Sequence, residues 1–214
     1  MTLPLVPLPF APEILWFTPS EGFVQRPDHF VDLVSKGSGG NVMIRNYHGH
    51  AIDQPGSRVW VMVWKSLAHH RDFMEHEAYI DVALPVMEAM VGTGDITQVL
   101  LNNLSDFERA LSAPVTQFIQ ITMRPWHDKS YELLPLIERL KKDLKTIPGC
   151  SVSCWGPSVE KDTVHVGIVG WNSIDDRDAA VDGPLYDIIR QVQELSKVEL
   201  RYARFNHDRH HHDR

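Results

Sequence analysis

A shift of 107 positions, half of the 214 residues, lays this chain over itself. Trp64 falls on Trp171, Ser66 on Ser173, Leu67 on Ile174, Tyr79 on Tyr186 and Val82 on Ile189. Upstream, Ile14 meets Ile121, Phe30 meets Ile137, Leu33 meets Leu140 and Gly49 meets Gly156. A Trp-x-Ser signature with a tyrosine fifteen residues later, in both halves, points to two copies of one structural unit. After position 82 the register drifts, because Met90-Val-Gly-Thr-Gly-Asp95 is extra length in the first half.

Each half reads in the same order. Residues 13–20 and 115–123 are strand-like, the second alternating Ile119, Ile121 and Met123 with Phe118, Gln120 and Thr122. Residues 131–145 set Leu133, Ile137, Leu140 and Leu144 on one stripe of a helix, and 26–36 is its shorter counterpart, closed by the glycines of 37–40. Hairpins follow, 41–52 with 58–64 and 150–157 with 163–171. Second helices are expected over 67–90 and 184–196, the latter with Asp182 or Gly183 at its N-terminus and Pro184 in its first turn. Last strands over 96–102 and 198–205 complete β-α-β-β-α-β, the ferredoxin-like unit, in each half.

The strand Val59-Trp-Val-Met-Val-Trp64 has valine at every odd position and Trp, Met and Trp at the even ones, so both of its faces are apolar. An antiparallel sheet covered by helices on one side normally leaves the other wet. Val164, Val166 and Ile168 make the same demand in the second half. The expected fold is therefore α+β: two tandem ferredoxin-like repeats, 1–114 and 115–206, whose sheets pack face to face into one barrel with the helices outside. The chain is then a pseudo-dimer in one molecule, with a further homodimer left open.

A net charge of -7 argues against a nucleic-acid surface or a polybasic membrane patch. The prolines at 4, 7, 9 and 12 break the apolar N-terminus, which lacks a basic leader, so the expected compartment is the cytoplasm. Cys150 and Cys154, four residues apart on an extended strand, lie about 13 Å apart, too far for a disulfide, and read as free thiols. The histidine-rich tail, 207–214, reads as a solvated end. Neither a dinucleotide fingerprint nor a phosphate loop nor a nucleophile elbow is present in the sequence.

Val63-Trp64-Lys-Ser66 and Val169-Gly-Trp171-Asn-Ser173, each closing a strand and opening a helix with Tyr79 or Tyr186 downstream, resemble the dimeric α+β barrel proteins, and among them the antibiotic-biosynthesis-monooxygenase type. The resemblance implies a ligand pocket between sheet and helices in each half and aromatic or polyketide-like substrates. It implies chemistry ranging from cofactor-free oxygenation through cyclisation, decarboxylation and haem degradation to binding alone. Haem-degrading relatives carry an axial histidine about nineteen residues after the Trp-x-Ser tryptophan; Ala83 and Arg190 stand there instead.

Trp64 and Trp171, shared by both repeats, read as packing residues first; with Trp60, Trp155, Tyr79 and Tyr186 they are also the candidate substrate contacts. The histidines are one-sided. His48 and His50 flank Gly49 on one strand face, and His69, His70 and His76 fall on the second helix. An imidazole near neutrality can take a proton from a phenol or an acidic methylene, so His48, His50 and His76 are the candidate general bases. A metal reading would join His48 and His50 to His76 or Glu75. His165 reads as an exposed strand residue. The sequence thus leads to a cofactor-independent monooxygenase-type enzyme acting on an aromatic or polyketide-derived molecule. A cyclase or decarboxylase of the same fold, and a barrel that only binds, are the alternatives.

Overall fold

Both Trp-x-Ser signatures convert a strand into a helix, and the serine makes the conversion. Ser66 Oγ accepts a hydrogen bond from the backbone N–H of His69, and Ser173 Oγ one from Asp176, each at 3.1 Å. These are N-caps, which satisfy a donor that the first helical turn leaves without a partner. The computed structural model describes residues 7–205; the first six residues and the histidine-rich tail lie outside them. In chain order the elements are β1 (Ala11–Phe17), α1 (Glu21–Gln25), α2 (Pro27–Gly37), β2 (Met43–Ala51), β3 (Arg58–Trp64), α3 (Leu67–Met74), α4 (Ile80–Glu88), β4 (Asp95–Gln98) and α5 (Leu104–Ser112). Then come β5 (Val115–Met123), α6 (Leu134–Leu144), β6 (Cys150–Pro157), β7 (Val164–Trp171), α7 (Ile174–Asp182), α8 (Tyr186–Leu195) and β8 (Ser196–Phe205).

One antiparallel sheet runs β4-β1-β3-β2-β8-β5-β7-β6, the ferredoxin-like strand order twice over. The two copies meet where Gly49 to Ala51 of β2 pair with Ala203 to Phe205 of β8. The outer edges also meet: Val99 bridges Ser158, Leu100 N donates to Pro157 O at 3.1 Å, and Val159 N donates to Gln98 O at 2.8 Å. The sheet therefore closes into a barrel. The matched glycines stand at these two seams. A Cβ on Gly49 would come within 2.7 Å of the Arg204 carbonyl, and one on Gly156 would overlap the carbonyl of Leu100.

The two-faced strands behave as their alternation demands. Val59, Val61 and Val63 join Val164, Val166 and Ile168 inside the barrel, with Trp16, Phe118 and Phe205. Trp60, Met62 and Trp64 face outward under the first-half helices, with Leu15, Phe17 and Phe23. Val169 and Trp171 do the same in the second half. An element absent from the sequence reading, α5, puts Phe107, Ala110 and Leu111 into the barrel core. Its cap is Asn103 Oδ1, which accepts from Asp106 N at 3.0 Å, and its apolar residues recur at the helical spacing of three and four. It lies between the halves in sequence and packs on β5, β6 and β7 of the second.

The structure corrects several details. The offset of 107 holds for the hairpins, whereas Ile14, opposite Val61, corresponds to Phe118, opposite Ile168, rather than to Ile121. On α2 the buried residue is Val34, and Leu33 is exposed, so Leu33 is not the counterpart of buried Leu140. Residues 67–90 are two helices joined by a 3-10 turn at Glu77–Tyr79, where the extended His76 interrupts the helix and caps the turn with its side chain. In the second half α7 is an additional helix, and α8 starts at Tyr186 beyond Pro184. His165 is buried on β7 rather than exposed. Cys150 and Cys154 are free. Among the described residues, no helix is long and apolar enough to cross a membrane.

Residues 1–114 expressed alone would expose the inner face of β3 and all of the apolar stripe of α5. That fragment is expected to aggregate or pair with itself; a monomeric fragment with cooperative urea unfolding in analytical ultracentrifugation and circular dichroism would show that each half folds alone.

Candidate functional site

The strand registers define equivalent positions in the two halves. Glu13 stands opposite Met62 and Gln98, and Gln117 stands opposite Val169 and Tyr202. His70 and Arg177 each lie six residues beyond the matched tryptophan, on the helix that the serine caps. Two four-residue clusters thus occupy the same place between sheet and helices: Glu13, Trp64, His70 and Gln98 in one half, and Gln117, Trp171, Arg177 and Tyr202 in the other.

The first cluster is titratable. His70 is buried and lies flat on Trp64, ring centroids 4.1 Å apart and planes 12° from parallel. Gln98 Nε2 donates to the Ala11 carbonyl at 3.3 Å and lies 2.9 Å from His70 Nδ1. Because Ala11 O can only accept, the amide nitrogen faces that way, and its second proton goes to Nδ1. The imidazole proton therefore sits on Nε2, 3.9 Å from Glu13 Oε2. Burial pushes the Glu13 carboxyl up to about 7; Glu160 raises it further, while the Trp64 indole N–H, which faces it without completing a hydrogen bond, opposes the shift. Burial also lowers the His70 imidazole below its usual range, against the pull of Gln98. Tyr79, half-buried beside them, has its phenol raised by burial and by the Glu13 charge. The Glu13 side chain keeps 17% exposure, so a proton from outside can reach it.

The second cluster holds the same shape without a group that titrates near neutrality. Trp171 Nε1 donates to Gln117 Oε1 at 2.9 Å, Gln117 Nε2 donates to Tyr202 Oη at 3.3 Å, and the Arg177 guanidinium lies 5.7 Å from the Tyr202 ring centroid. Next to it is a cavity of about 120 Å³ with mostly apolar walls that include Trp155, Trp171, Leu185 and Val192. A broader groove of about 610 Å³ lies outside, between α5, α6 and β6.

The residues singled out from the sequence are spread over both layers. His48 is buried, 3.2 Å from Asp28 Oδ1 and edge-on to Phe23. His50 shares its strand face but is exposed, 3.3 Å from Arg58, with its imidazole lowered by desolvation and by Arg58. His76 is exposed and caps the 3-10 turn by accepting from Ala78 N at 3.1 Å. These three have different partners and do not converge, and among the described residues no group of three or more His, Cys, Asp or Glu is placed to hold a metal ion. Trp60 is fully buried and bonds Asn46 Oδ1; Trp64 and Trp171 are buried beside the clusters; Trp155 lines the cavity. Tyr186 is exposed on α8 under the Arg190 guanidinium. Haem does not fit the helix positions that the resemblance designates: Ala83 has no ligating atom and Arg190 is engaged with Tyr186. His165, with its pKa lowered to about 4 by burial and then by Lys129 and Lys141, is not among the cavity residues. Sequence reasoning missed Glu13, although a single charged residue within the apolar run Ala11–Phe17 was the available signal.

No family model and no curated protein matches this sequence. Solved structures do. A protein of Fusobacterium nucleatum described provisionally as a monooxygenase superposes with a TM-score of 0.66 at 9% identity, covering 92% of this chain and 93% of its own. An anthrone oxidase-like protein gives 0.64 at 10% identity, with 93% and 92% covered. A mutant chlorite dismutase from Candidatus Nitrospira defluvii gives 0.53 at 10%, with 91% of each. At these identities the likeness establishes the fold: two ferredoxin-like units in one chain.

The raised Glu13 carboxyl has a consequence for stability. It ionises near 4.5 when unfolded and near 7 when folded, so the folded protein holds the proton more tightly. The associated stability is fully present below pH 4.5 and is lost as pH rises through 7, roughly 3 kcal/mol in all. Glu13→Gln is therefore expected to exceed the unmodified chain in unfolding free energy at pH 8 by up to about 3 kcal/mol, with the gap closing at pH 4.5. Urea titrations at the two pH values that show the same gap would remove burial of this charge as the cause.

Proposed function

We propose that the protein is an enzyme that removes a proton from an aromatic or polyketide-derived small molecule, with Glu13 as the base and His70 as its partner, and that the resulting carbanion reacts with dioxygen. The observation that supports this is the pairing of a carboxyl poised near 7 with a buried imidazole whose N–H points toward it. Proton transfer is most effective when the pKa of the base lies near the working pH. Groups pushed apart from their ordinary values at one place are the usual mark of acid-base chemistry. The descriptions of two similarly folded proteins, one as a monooxygenase and one as anthrone oxidase-like, support the choice of an oxygenase and of a fused-ring substrate.

In this reading the Glu13 carboxylate takes one proton from an acidic ring methylene. The carbanion passes electrons to dioxygen and forms a carbon–oxygen bond. The hydroperoxide anion takes the proton back from Glu13, and loss of water leaves a ring carbonyl. One dioxygen is consumed, one oxygen atom enters the product and the other leaves as water. The His70 Nε2–H, 3.9 Å from the carboxylate, steadies it electrostatically, and the stacked Trp64 holds the imidazole in plane.

The test is oxygen uptake with anthrone as the probe. Uptake is expected to rise with pH through about 7, following ionisation of Glu13. Glu13→Gln should reduce kcat by at least ~100-fold, and His70→Gln by ~10-fold or more with a displaced pH profile. Glu13-dependent exchange of the anthrone methylene protons in deuterated water without oxygen uptake would keep Glu13 as the base and overturn the oxygenation. Undiminished turnover in Glu13→Gln would eliminate Glu13 as the base.

A further inference from the structure

We propose that the cavity of the second half and the groove outside it are two lobes of one binding site for an elongated aromatic acid. Its anionic oxygens pair with Arg177, and its rings pass the side chain of Trp155. The proposal concerns binding in the second half and does not depend on the acid-base chemistry of the first.

Arg177 is the one charged residue among those lining the cavity. Its Nε is buried without a hydrogen-bond partner, while Nη1 is held by the exposed Asp178 at 2.9 Å. A buried donor left unpaired is unfavourable, and such an atom calls for a partner. A carboxylate or phenolate oxygen entering from the cavity would supply it, in the planar geometry that a guanidinium favours. Asp178 engages Nη1 and leaves Nε unpaired.

The cavity runs across the sheet. Arg177 lies over Tyr202 on β8, and Trp155 projects from β6. The order β8-β5-β7-β6 puts three strand spacings between these strands, about 14 Å. A volume of about 120 Å³ holds at most one aromatic ring, since an apolar cavity of about 150 Å³ accommodates benzene. Trp155 and Leu144 line both the cavity and the 610 Å³ groove, so these two side chains are the partition between them. The Trp155 ring lies across Gly167, where any Cβ would collide with it. That glycine gives the indole its seat inside the cavity. Trp155 is itself only half-buried, and its Nε1 donates to Ser153 Oγ within the groove at 3.1 Å. A rotation of this one side chain toward the groove would join the lobes into a volume typical of ligand sites.

Calorimetry with three probes tests the proposal: 4-biphenylcarboxylate, its neutral analogue 4-biphenylmethanol, and benzoate. The unmodified chain should bind 4-biphenylcarboxylate at least tenfold more tightly than the alcohol. Arg177→Met should erase that preference, and Arg177→Lys should keep part of it. Trp155→Ala should raise the association rate of 4-biphenylcarboxylate in stopped-flow fluorescence at least fivefold while leaving benzoate within twofold. Equal affinity for acid and alcohol, or a preference that survives Arg177→Met, would overturn the anion site. An association rate for 4-biphenylcarboxylate unaltered by Trp155→Ala would overturn the shared-lobe geometry. Since binding is read without turnover, failure here is distinct from failure of Glu13 as a base.

Discussion

The structure depends on the mutual burial of two sheet faces. Each ferredoxin-like half covers one side of its sheet with helices and leaves the other lined with valine, isoleucine and phenylalanine. Removing such a surface from water is favoured by about 25 cal/mol per Å², and only the other half presents a matching surface. Because that burial closes the barrel, β3 and β7 are held at both faces. The tryptophans at their ends, and the capped helices that follow, therefore occupy fixed positions. The two polar clusters are built on those positions, so the packing of the halves is also what sets the geometry of the chemistry.

Much of this was legible in the chain. The two-faced run Val59–Trp64 required a cover, and the Trp-x-Ser repeat located the strand-to-helix junctions. The helix α5 was not legible in that way, because its apolar residues Phe107, Ala110 and Leu111 span little more than one turn and no repeat marks them in the second half. The 104-residue offset of the first and last strands was hidden by apolar matches at 107, since Ile14 fits Ile121 as well as Phe118 by hydrophobicity alone. Among site residues, a histidine's identity is visible in sequence but its surroundings are not. His48, His50 and His76 share a residue type, whereas His70 alone is stacked, buried and directed at a carboxylate. Glu13 was obscured because its protonation behaviour comes from burial, a property of the folded state.

Equivalent positions have received opposite kinds of residue. Glutamate and histidine respond to pH near neutrality; glutamine and arginine do not. Trp64 and Trp171 present the same indole N–H to both, and in the second half it completes a 2.9 Å bond to an amide oxygen that carries no net charge. In the first half the same donor meets a carboxyl whose charge is disfavoured by burial, and the bond is left incomplete. One scaffold thus carries an ionisable cluster and a permanently charged one, separated by the barrel core.

The closure of both copies within a single chain changes what substitution can do. In a symmetric pair of identical subunits every residue appears at both sites, so an arginine favourable to one would enter the other as well. Placed beside Glu13, that guanidinium would pull the carboxyl back toward full ionisation. Joining the copies removes this constraint: an arginine can be kept on one side of the barrel while a carboxyl raised by burial is kept on the other. The linker that contributes α5 to the core therefore does more than hold two halves together, for it is what allows two clusters of common geometry to carry residues of different charge.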